Sequence, residues 1–287
     1  MEVKVTTFKV IDSFSNVISY TAFAFSGGEI QVRITDPLYE TTGEYTITGN
    51  VTNSEEFMEL AMLRDALRRA HPGCSVALRM PYLPYARQDR VCAPGEALGL
   101  KVFAEMLNLL NFERVEVWDA HSDVSAALIN NMHHRAVEDI LCPFLFTHQH
   151  IMVGGLTLVA PDAGASKKVA KVAQNVTLPM VQATKHRDVQ TGAITRTSVD
   201  LEYTRGNLLM VDDICDGGRT FIELAKVLRP KTTGKIYLYV THGIFSQGLH
   251  VFNGIIDHIY CANVWPNVGP QPILTVIGDS TNEAAGS

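Results

Sequence analysis

Short apolar runs rich in Val, Ile and Leu alternate along the chain with segments in which apolar positions recur every three to four residues. The short runs predict buried β-strands, and the periodic segments predict the helices that connect parallel strands. The strands predicted in this way cover residues 75–80, 114–118, 156–160, 207–211 and 235–240. The pattern therefore predicts an α/β fold with mainly parallel sheets flanked by helices.

Two of the periodic segments carry clear helix signals. Thr52 and Glu55 have the spacing of a capping box, and an amphipathic pattern follows them. A second helix is predicted after Pro94. Its apolar face consists of Leu100, Phe103, Ala104, Leu107 and Leu110. We interpret this face as core packing.

The length of the chain indicates more than one domain. A chain of 287 residues is longer than one hydrophobic core usually supports, so two domains are expected. Residues 142–155 mix Pro, Gly and polar positions after a helical segment, which favours a boundary near residue 145. The predicted domains are therefore residues 1–145 and residues 146–287.

The net charge indicates which kinds of partner the protein can bind, and the cysteine content indicates its cellular compartment. The net charge is −6 and the basic residues are dispersed among acidic ones, which argues against a nucleic-acid partner. The five cysteines contain no CxxC pair, as is typical of reduced thiols. No signal-peptide core and no apolar run of about 20 residues is found, so we expect a cytoplasmic protein without a membrane partner.

The strongest local motif is LLMVDDICDGGRTF, residues 208–221, in which a buried strand leads through two acids and a Gly-rich turn into a helix. Asp212 and Asp213 can accept hydrogen bonds from adjacent ribose hydroxyls or reach a metal bound to them. Backbone N–H groups at the start of the helix can bind a phosphate. The residues that supply them are Asp216, Gly217, Gly218, Arg219 and Thr220. The motif predicts a ribose-phosphate site.

Several common enzyme motifs are absent from the sequence. It contains no GxxxxGK[ST], GxGxxG, GxSxG or HExxH, which excludes P-loop, dinucleotide-fold, hydrolase-elbow and zincin sites. The pairs His133 with His134 and His148 with His150 have metal-like spacing but lack an acidic or Cys partner nearby. We interpret these histidines as surface residues.

The ribose-phosphate motif resembles a loop that type I phosphoribosyltransferases share with ribose-phosphate diphosphokinases, the PRPP synthetases. The segment MPYLPYARQDR, residues 80–90, resembles the ATP-binding segment of the PRPP synthetases, which phosphoribosyltransferases lack. Arg87 offers a bidentate fork to phosphate oxygens. Gln88 and Asp89 offer an amide and a carboxylate to the nucleotide. The resemblance therefore favours a PRPP synthetase.

A third segment, FSGGE at residues 25–29, resembles the F-S-D-G-E of the same family. The resemblance implies that Phe25 stacks on adenine and that Glu29 reads the edge of the base. Gly27 replaces the usual Asp. In the family this segment reaches the ATP site of a neighbouring subunit, so the resemblance implies a homo-oligomer, either a dimer or a hexamer.

Two further segments resemble the metal and diphosphate sites of the family. In VWDAHSD, residues 117–123, the resemblance assigns His121 to the Mg²⁺ of ATP or its phosphates, with Asp119 within reach. In APDAGASKK, residues 160–168, it assigns Asp162 as a second protein ligand of Mg²⁺. The N–H groups that would bind the transferred diphosphate belong to Ala163, Gly164 and Ala165.

The segment ATKHRDVQ, residues 183–190, lies where the family carries its mobile catalytic Lys-x-Arg. The resemblance assigns these roles to Lys185 and Arg187. Both would stabilise charge on the phosphates during transfer, because phosphoryl-type transfer depends mainly on positioning and electrostatics.

The resemblance implies two phosphoribosyltransferase-like domains, with the last segment packing back on the first. It also implies transfer of a diphosphate from MgATP to the 1-hydroxyl of a ribose 5-phosphate compound, with release of AMP. Two alternatives are a type I phosphoribosyltransferase, which would not use ATP, and a non-catalytic regulatory subunit. The presence of Lys185, Arg187, His121 and Asp162 together argues against the regulatory subunit.

The expected acceptor is ribose 5-phosphate, and ADP-ribose is the alternative. The ribose-phosphate loop departs from the family pattern D-T-x-G-T, because Gly217 replaces the Thr and Arg219 replaces the second Gly. A loop that lacks a side chain at Gly217 and carries a cation at Arg219 would also suit the diphosphate of ADP-ribose. We predict that these two positions determine the choice of acceptor.

Overall fold

A computed structural model describes residues 2–4, 6–38, 43–187 and 194–278. The chain forms two compact units, Met1–Arg135 and Ala136–Ser287. No helix within these described ranges is long and apolar enough to cross a membrane.

The first unit contains two sheets. Its strands are β1 (Glu2–Lys4), β2 (Lys9–Asp12), β3 (Val17–Ile18), β4 (Tyr20–Ala24), β5 (Ile30–Ile34), β6 (Glu44–Thr48), β7 (Ser75–Arg79), β8 (Arg114–Trp118) and β9 (Met132–Arg135). Its helices are α1 (Ser54–Ala70), α2 (Gly99–Leu109) and α3 (Val124–Leu128). One sheet has the antiparallel order β1-β4-β5, and the other has the order β3-β2-β6-β7-β8-β9, with parallel pairing from β6 to β9.

The start of α1 differs from the predicted capping box by one residue. Asn53 is the N-cap, and its Oδ1 accepts the N–H of Glu56 at 3.0 Å. The carboxylate of Glu56 in turn accepts the hydroxyl of Thr52 at 2.8 Å. The pairing of Thr52 with Glu55 was wrong, because Asn53 and Glu56 offer the same capping chemistry one residue later.

The apolar face of α2 packs in the core of the first unit, as predicted. Leu100, Phe103, Ala104 and Leu107 are buried, and Leu110 packs against the same cluster from the C-cap position. This cluster also contains apolar residues of α1, β6, β7 and β8. It therefore holds α2 against the parallel part of the sheet.

The second unit is built on one sheet of seven strands. The strands are β10 (Leu156–Ala160), β11 (Met180–Arg187), β12 (Ile194–Val199), β13 (Asn207–Cys215), β14 (Ile236–Gly243), β15 (His258–Val264) and β16 (Leu274–Val276). The helices are α4 (Val137–Thr147), α5 (Ala163–Val176) and α6 (Arg219–Leu228). The order is β12-β11-β10-β13-β14-β15-β16, and β12 is the antiparallel strand. The predicted boundary near residue 145 lies within α4.

Residues of β13 are buried on both faces of this sheet. Leu208 and Met210 pack in one core cluster with α6, whereas Leu209 and Val211 pack in another with α4 and α5. The strand continues to Cys215, beyond the predicted end at residue 211, because its pairing with β14 continues to Cys215 opposite Gly243. The two acids therefore lie within the strand and not after it.

Candidate active site

Loops after three neighbouring strands lie at one edge of the second sheet. Strands β10, β13 and β14 are parallel neighbours, so the loops that follow them share the carboxyl edge. The loop after β13, residues 216–218, is the predicted ribose-phosphate loop. In open α/β sheets, ligands bind at this edge.

Gly218 shapes the start of α6. It is the N-cap residue and has a φ of 77°, which glycine adopts without strain. A Cβ atom at Gly218 would lie 2.4 Å from Cζ of the buried Phe252. The first N–H groups of a helix have no acceptor within it, so α6 offers N–H groups for an anion at this loop.

One of the two acids of β13 lies beside a cation. Asp213 is buried, and its Oδ2 lies 3.9 Å from Nζ of Lys168 on α5. Burial raises the pKa of Asp212, and the nearby carboxylates of Asp213 and Asp162 raise it further. This edge therefore concentrates negative charge, and a bound cation would stabilise it. Lys168 lies in the motif at residues 160–168, but the resemblance gives it no role.

The loop after β10 uses its acid to cap α5. Oδ1 of Asp162 accepts the N–H groups of Gly164 and Ala165, at 3.0 and 3.2 Å. The resemblance implies that these two N–H groups, with that of Ala163, bind a diphosphate. In the structure two of the three donate to Asp162, because an acid at the N-cap competes with any ligand for them. To bind a diphosphate there, the N–H groups of Gly164 and Ala165 would have to release Asp162 and donate to the diphosphate instead.

The loop after β14 contacts the ribose-phosphate loop directly. Oγ of Ser246 donates to Oδ1 of Asp216 at 2.6 Å. A Cβ atom at Gly217 would lie 3.5 Å from Cγ of Gln247. Sequence reasoning missed Ser246 and Gln247, because they lie about 30 residues after the motif and match no local pattern.

Lys185 and Arg187 lie near the carboxyl end of β11, which runs parallel to β10. Their backbone therefore lies at the same edge as the three loops. β11 pairs with β12, and the register shifts between His186 and Arg187. The side chains of Lys185 and Arg187 lie outside the described part of the structure, so their catalytic role stays a prediction.

In the first unit, the predicted ATP segment follows β7 and is joined to its neighbours. The N–H of Tyr82 donates to Oδ1 of Asn50, in the loop after β6, at 3.2 Å. The N–H of Trp118, the last residue of β8, donates to the carbonyl of Pro81 at 2.9 Å. The segments after β6, β7 and β8 therefore meet at the carboxyl edge of the parallel strands, as a nucleotide site requires.

The three polar residues predicted to bind ATP differ in their exposure and in their contacts. Arg87 is exposed. Gln88 packs against the start of α2, since a Cβ atom at Gly99 would lie 2.1 Å from its Oε1. Asp89 is mostly buried, and its Oδ1 lies 3.6 Å from Nε of Arg90. This buried oxygen accepts no hydrogen bond from the described residues. This carboxylate oxygen could accept a hydrogen bond from a ligand.

Asp119 and His121 follow β8 at the same edge. Asp119 is buried, with a left-handed φ of 39°, and its N–H donates to the carbonyl of Arg135 at 2.8 Å. The N–H of Ala120 donates to Nε2 of His134 at 3.0 Å. These bonds to β9 hold the turn, and His121 is exposed beyond it. His134 therefore has a structural role.

The FSGGE segment is the tip of the hairpin formed by β4 and β5. The N–H of Phe25 donates to the carbonyl of Glu29 at 2.9 Å, and the N–H of Gly28 donates to the carbonyl of Phe25. Phe25 is 46 % exposed and packs edge-on against Phe23. An exposed ring on a tight hairpin can stack on a nucleobase, although this role stays a prediction.

The residues assigned to Mg²⁺ belong to both units: Asp119 and His121 to the first, Asp162 to the second. Within the described residues, no group of three or more His, Cys, Asp or Glu side chains could hold a metal ion. Mg²⁺ usually binds one or two carboxylates together with substrate phosphates. Asp162, Asp212 and Asp213 carry carboxylates of this kind, and one or two of them could serve together with phosphate oxygens of the substrates.

Comparison with known proteins identifies the family. Residues 12–110 match the model of the N-terminal domain of ribose phosphate pyrophosphokinase, and residues 159–282 match that of the phosphoribosyl synthetase-associated domain. The ribose-phosphate pyrophosphokinase of Mycoplasma pneumoniae is 31 % identical over 224 residues, which cover 74 % of this chain and 66 % of that protein. The chain belongs to the ribose-phosphate pyrophosphokinase family. The resemblance found in the sequence is thus confirmed.

Other members of the ribose-phosphate pyrophosphokinase family match over more of their length. The Pyrococcus furiosus protein is 26 % identical over 260 residues, covering 90 % of this chain and 89 % of that one. Phosphoribosylpyrophosphate synthetase from Mycobacterium smegmatis superposes with a TM-score of 0.77 at 22 % identity, covering 92 % and 87 % of the two chains. This match confirms the α/β fold with mainly parallel sheets. The names of these relatives give no support to the ADP-ribose alternative.

Proposed function

We propose that this protein transfers the β,γ-diphosphate of ATP to the 1-hydroxyl of ribose 5-phosphate, releasing AMP and forming 5-phosphoribosyl 1-diphosphate, PRPP. The observation that carries the proposal is the meeting of the loops after β10, β13 and β14 at one sheet edge, with the backbone of Lys185 and Arg187 at the same edge. Membership of the ribose-phosphate pyrophosphokinase family supports the activity.

The acceptor would bind at the carboxyl end of β13. Asp212 and Asp213 would accept hydrogen bonds from the two ribose hydroxyls, which orients the sugar. The N–H groups of Arg219 and Thr220 would bind the 5′-phosphate at the start of α6, where the helix dipole favours negative charge. This placement leaves the 1-hydroxyl directed towards the diphosphate.

ATP would bind with Arg87, Gln88, Asp89 and His121, and Phe25 of a neighbouring subunit would stack on the adenine. In the reaction, O1 of the sugar forms a bond to the β-phosphorus, and the bond from that phosphorus to the α–β bridging oxygen breaks. AMP leaves with this oxygen and with the electron pair. No covalent enzyme intermediate is needed.

Lys185 and Arg187 would stabilise the negative charge that develops on the leaving α-phosphate and the moving β-phosphate. The metal roles that the resemblance gives to Asp162, Asp119 and His121 stay predictions. When bound, Mg²⁺ neutralises charge on the phosphate oxygens. Binding energy at both substrates thus serves mainly to position them, because this transfer depends on alignment and charge.

The decisive experiment incubates the protein with MgATP and equal concentrations of ribose 5-phosphate and ADP-ribose. We expect AMP and PRPP to form in equal amounts, with ribose 5-phosphate as the preferred acceptor. Nucleotide products are separated by chromatography, and sugar products are identified by mass spectrometry.

The other outcomes separate the alternatives. ADP as the nucleotide product would exclude attack at the β-phosphorus. ADP-ribose 1-diphosphate as the main product would make ADP-ribose the acceptor, in agreement with the changes at Gly217 and Arg219. Consumption of added PRPP with a free base, without any use of ATP, would identify a phosphoribosyltransferase.

The proposed ATP site predicts assembly, because Phe25 and Glu29 would complete the site of a neighbouring subunit. Light scattering at working concentration is expected to give a mass of at least a dimer. The Phe25→Ala variant should raise KM for ATP and leave KM for ribose 5-phosphate unchanged. A fully active monomer would exclude the shared site.

A further inference from the structure

The segment of residues 244–248, here called the β14 loop, is hydrogen-bonded through its backbone to the end of β13, next to the ribose-phosphate loop. The N–H groups of Ile244 and Phe245 both donate to the carbonyl of Cys215, at 2.9 and 3.2 Å. The N–H of Gly248 donates to the carbonyl of Phe245 at 2.7 Å and closes a turn. These bonds hold the β14 loop against the end of β13, where the ribose-phosphate loop begins.

Two buried aromatic rings support both loops. Phe245 and Phe252 are each at most 3 % exposed and pack edge to face, with ring centroids 6.2 Å apart. A Cβ atom at Gly243 would lie 2.1 Å from Cε2 of Phe245, and one at Gly218 would lie 2.4 Å from Cζ of Phe252. Glycine at both positions lets the rings lie directly beneath the loops. Because close-packed interiors deform little, this packing holds the β14 loop in place.

Two polar side chains of the β14 loop face the phosphate end of the site. Oγ of Ser246 donates to Oδ1 of Asp216 at 2.6 Å, which orients the Asp216 carboxylate. A Cβ atom at Gly217 would lie 3.5 Å from Cγ of Gln247 and 3.9 Å from Oγ of Ser246. Gln247 is exposed, so its terminal carboxamide can turn towards a ligand.

Gly217 itself is not required by the backbone. Unlike Gly218, it has no left-handed φ, and a Cβ atom there would meet only ordinary van der Waals contacts. The family pattern has a Thr at this position, which offers a hydroxyl donor. Glycine offers none, and the neighbouring Gln247 carries two N–H donors on a longer side chain.

We propose that Gln247 supplies, from the β14 loop, the side-chain donor to the acceptor's terminal phosphate that Gly217 does not supply. In this arrangement Ser246 is a positioning residue that orients Asp216. The inference rests on the proposed function, since it places the phosphate of a sugar-phosphate acceptor between the two loops. It makes Gly217 and Gln247 a matched pair that determines affinity for the acceptor.

The test compares Gly217→Thr, Gln247→Ala and the double variant. Gln247→Ala should raise KM for ribose 5-phosphate about tenfold or more, the range for a hydrogen bond to a charged group, with KM for ATP unchanged. Gly217→Thr alone should also raise this KM, because the new side chain crowds Gln247. In the Gln247→Ala background the same change should lower it, because the Thr hydroxyl then has space to reach the phosphate.

Matched controls separate this role from a general effect on the loop. Gln271→Ala removes an exposed Gln of the same unit that lies in neither loop, and it should change no kinetic constant. Ser246→Ala should raise KM for ribose 5-phosphate, whereas Ser246→Thr, which keeps the hydroxyl, should restore it. The inference is overturned if Gln247→Ala leaves KM for ribose 5-phosphate unchanged. It is also overturned if the fold-change in this KM for the double variant is the product of the fold-changes for the two single variants.

A binding measurement distinguishes this inference from the proposed function. If the wild type forms no PRPP, the proposed function fails, and titration calorimetry with ribose 5-phosphate and with inorganic phosphate then tests the site. Weaker phosphate binding by Gln247→Ala than by Gln271→Ala supports the inference. Equal binding by the two variants, or no binding by the wild type, overturns it.

Discussion

Replacing Lys185 by Ala is expected to lower kcat by about 10²-fold or more, and Arg187→Ala should do the same. Both cations would act on charge that develops only during transfer, so the KM values for ATP and ribose 5-phosphate should change little. Steady-state kinetics with each substrate varied in turn measures the effect. Both residues lie near the carboxyl end of β11, so their backbone is at the edge of the sheet where the three loops lie.

Three further variants make the test specific. Lys226→Ala removes a surface Lys that pairs with Glu223 on α6, and it should leave kcat unchanged. Lys185→Arg and Arg187→Lys keep the charge and should retain more activity than the Ala variants. A normal kcat in both Ala variants would show that the segment is an ordinary charged surface strand.

The second large effect is expected at Gly218. Gly218→Ala should lower the free energy of unfolding by about 2–5 kcal/mol. A left-handed φ costs a non-Gly residue about 1–2 kcal/mol, and forcing a methyl group against buried Phe252 costs about 1–3 kcal/mol. Urea unfolding at equilibrium, followed by circular dichroism, measures the difference.

Gly217→Ala is the matched control, because it adds the same methyl group one residue earlier in the same loop. Gly217 has no left-handed φ and has space for a Cβ atom, so stability should change by no more than about 0.5 kcal/mol. Phe252→Leu should reduce the additional cost of Gly218→Ala, since it removes the atoms that clash. Equal stability of the Gly217→Ala and Gly218→Ala variants would contradict the assigned role of Gly218.

Several interior strands were predictable because they contain short runs of Val, Ile and Leu between helical segments. The predicted strands at residues 114–118 and 156–160 have the observed bounds, Arg114–Trp118 and Leu156–Ala160. Strands β1–β5 were not predicted, because they are short, partly exposed and paired mainly in antiparallel ladders. Strand β6 was missed as well, since its sequence EYTIT contains Ile47 but no other Val, Ile or Leu.

Local rules failed where two neighbouring residues could serve equally well. Thr52 and Asn53 are both good N-cap residues, and Glu55 and Glu56 both have suitable carboxylates, so the sequence did not determine the register of the cap. The end of β13 was misjudged for a related reason. Asp is rare in strands, so Asp212 and Asp213 suggested that the strand had ended. Hydrogen bonds to β14 nevertheless keep the backbone extended to Cys215.

By itself the sequence determined the α/β class, the family and the positions of the local motifs, because these depend on periodicity and on residues close together in the chain. Only the tertiary structure showed that Lys168 lies beside Asp213 and that Ser246 and Gln247 lie against Asp216 and Gly217. Such contacts join residues about 30 to 45 positions apart. They arise because parallel strands bring the loops after them to one edge of the sheet, whatever the length of chain between them.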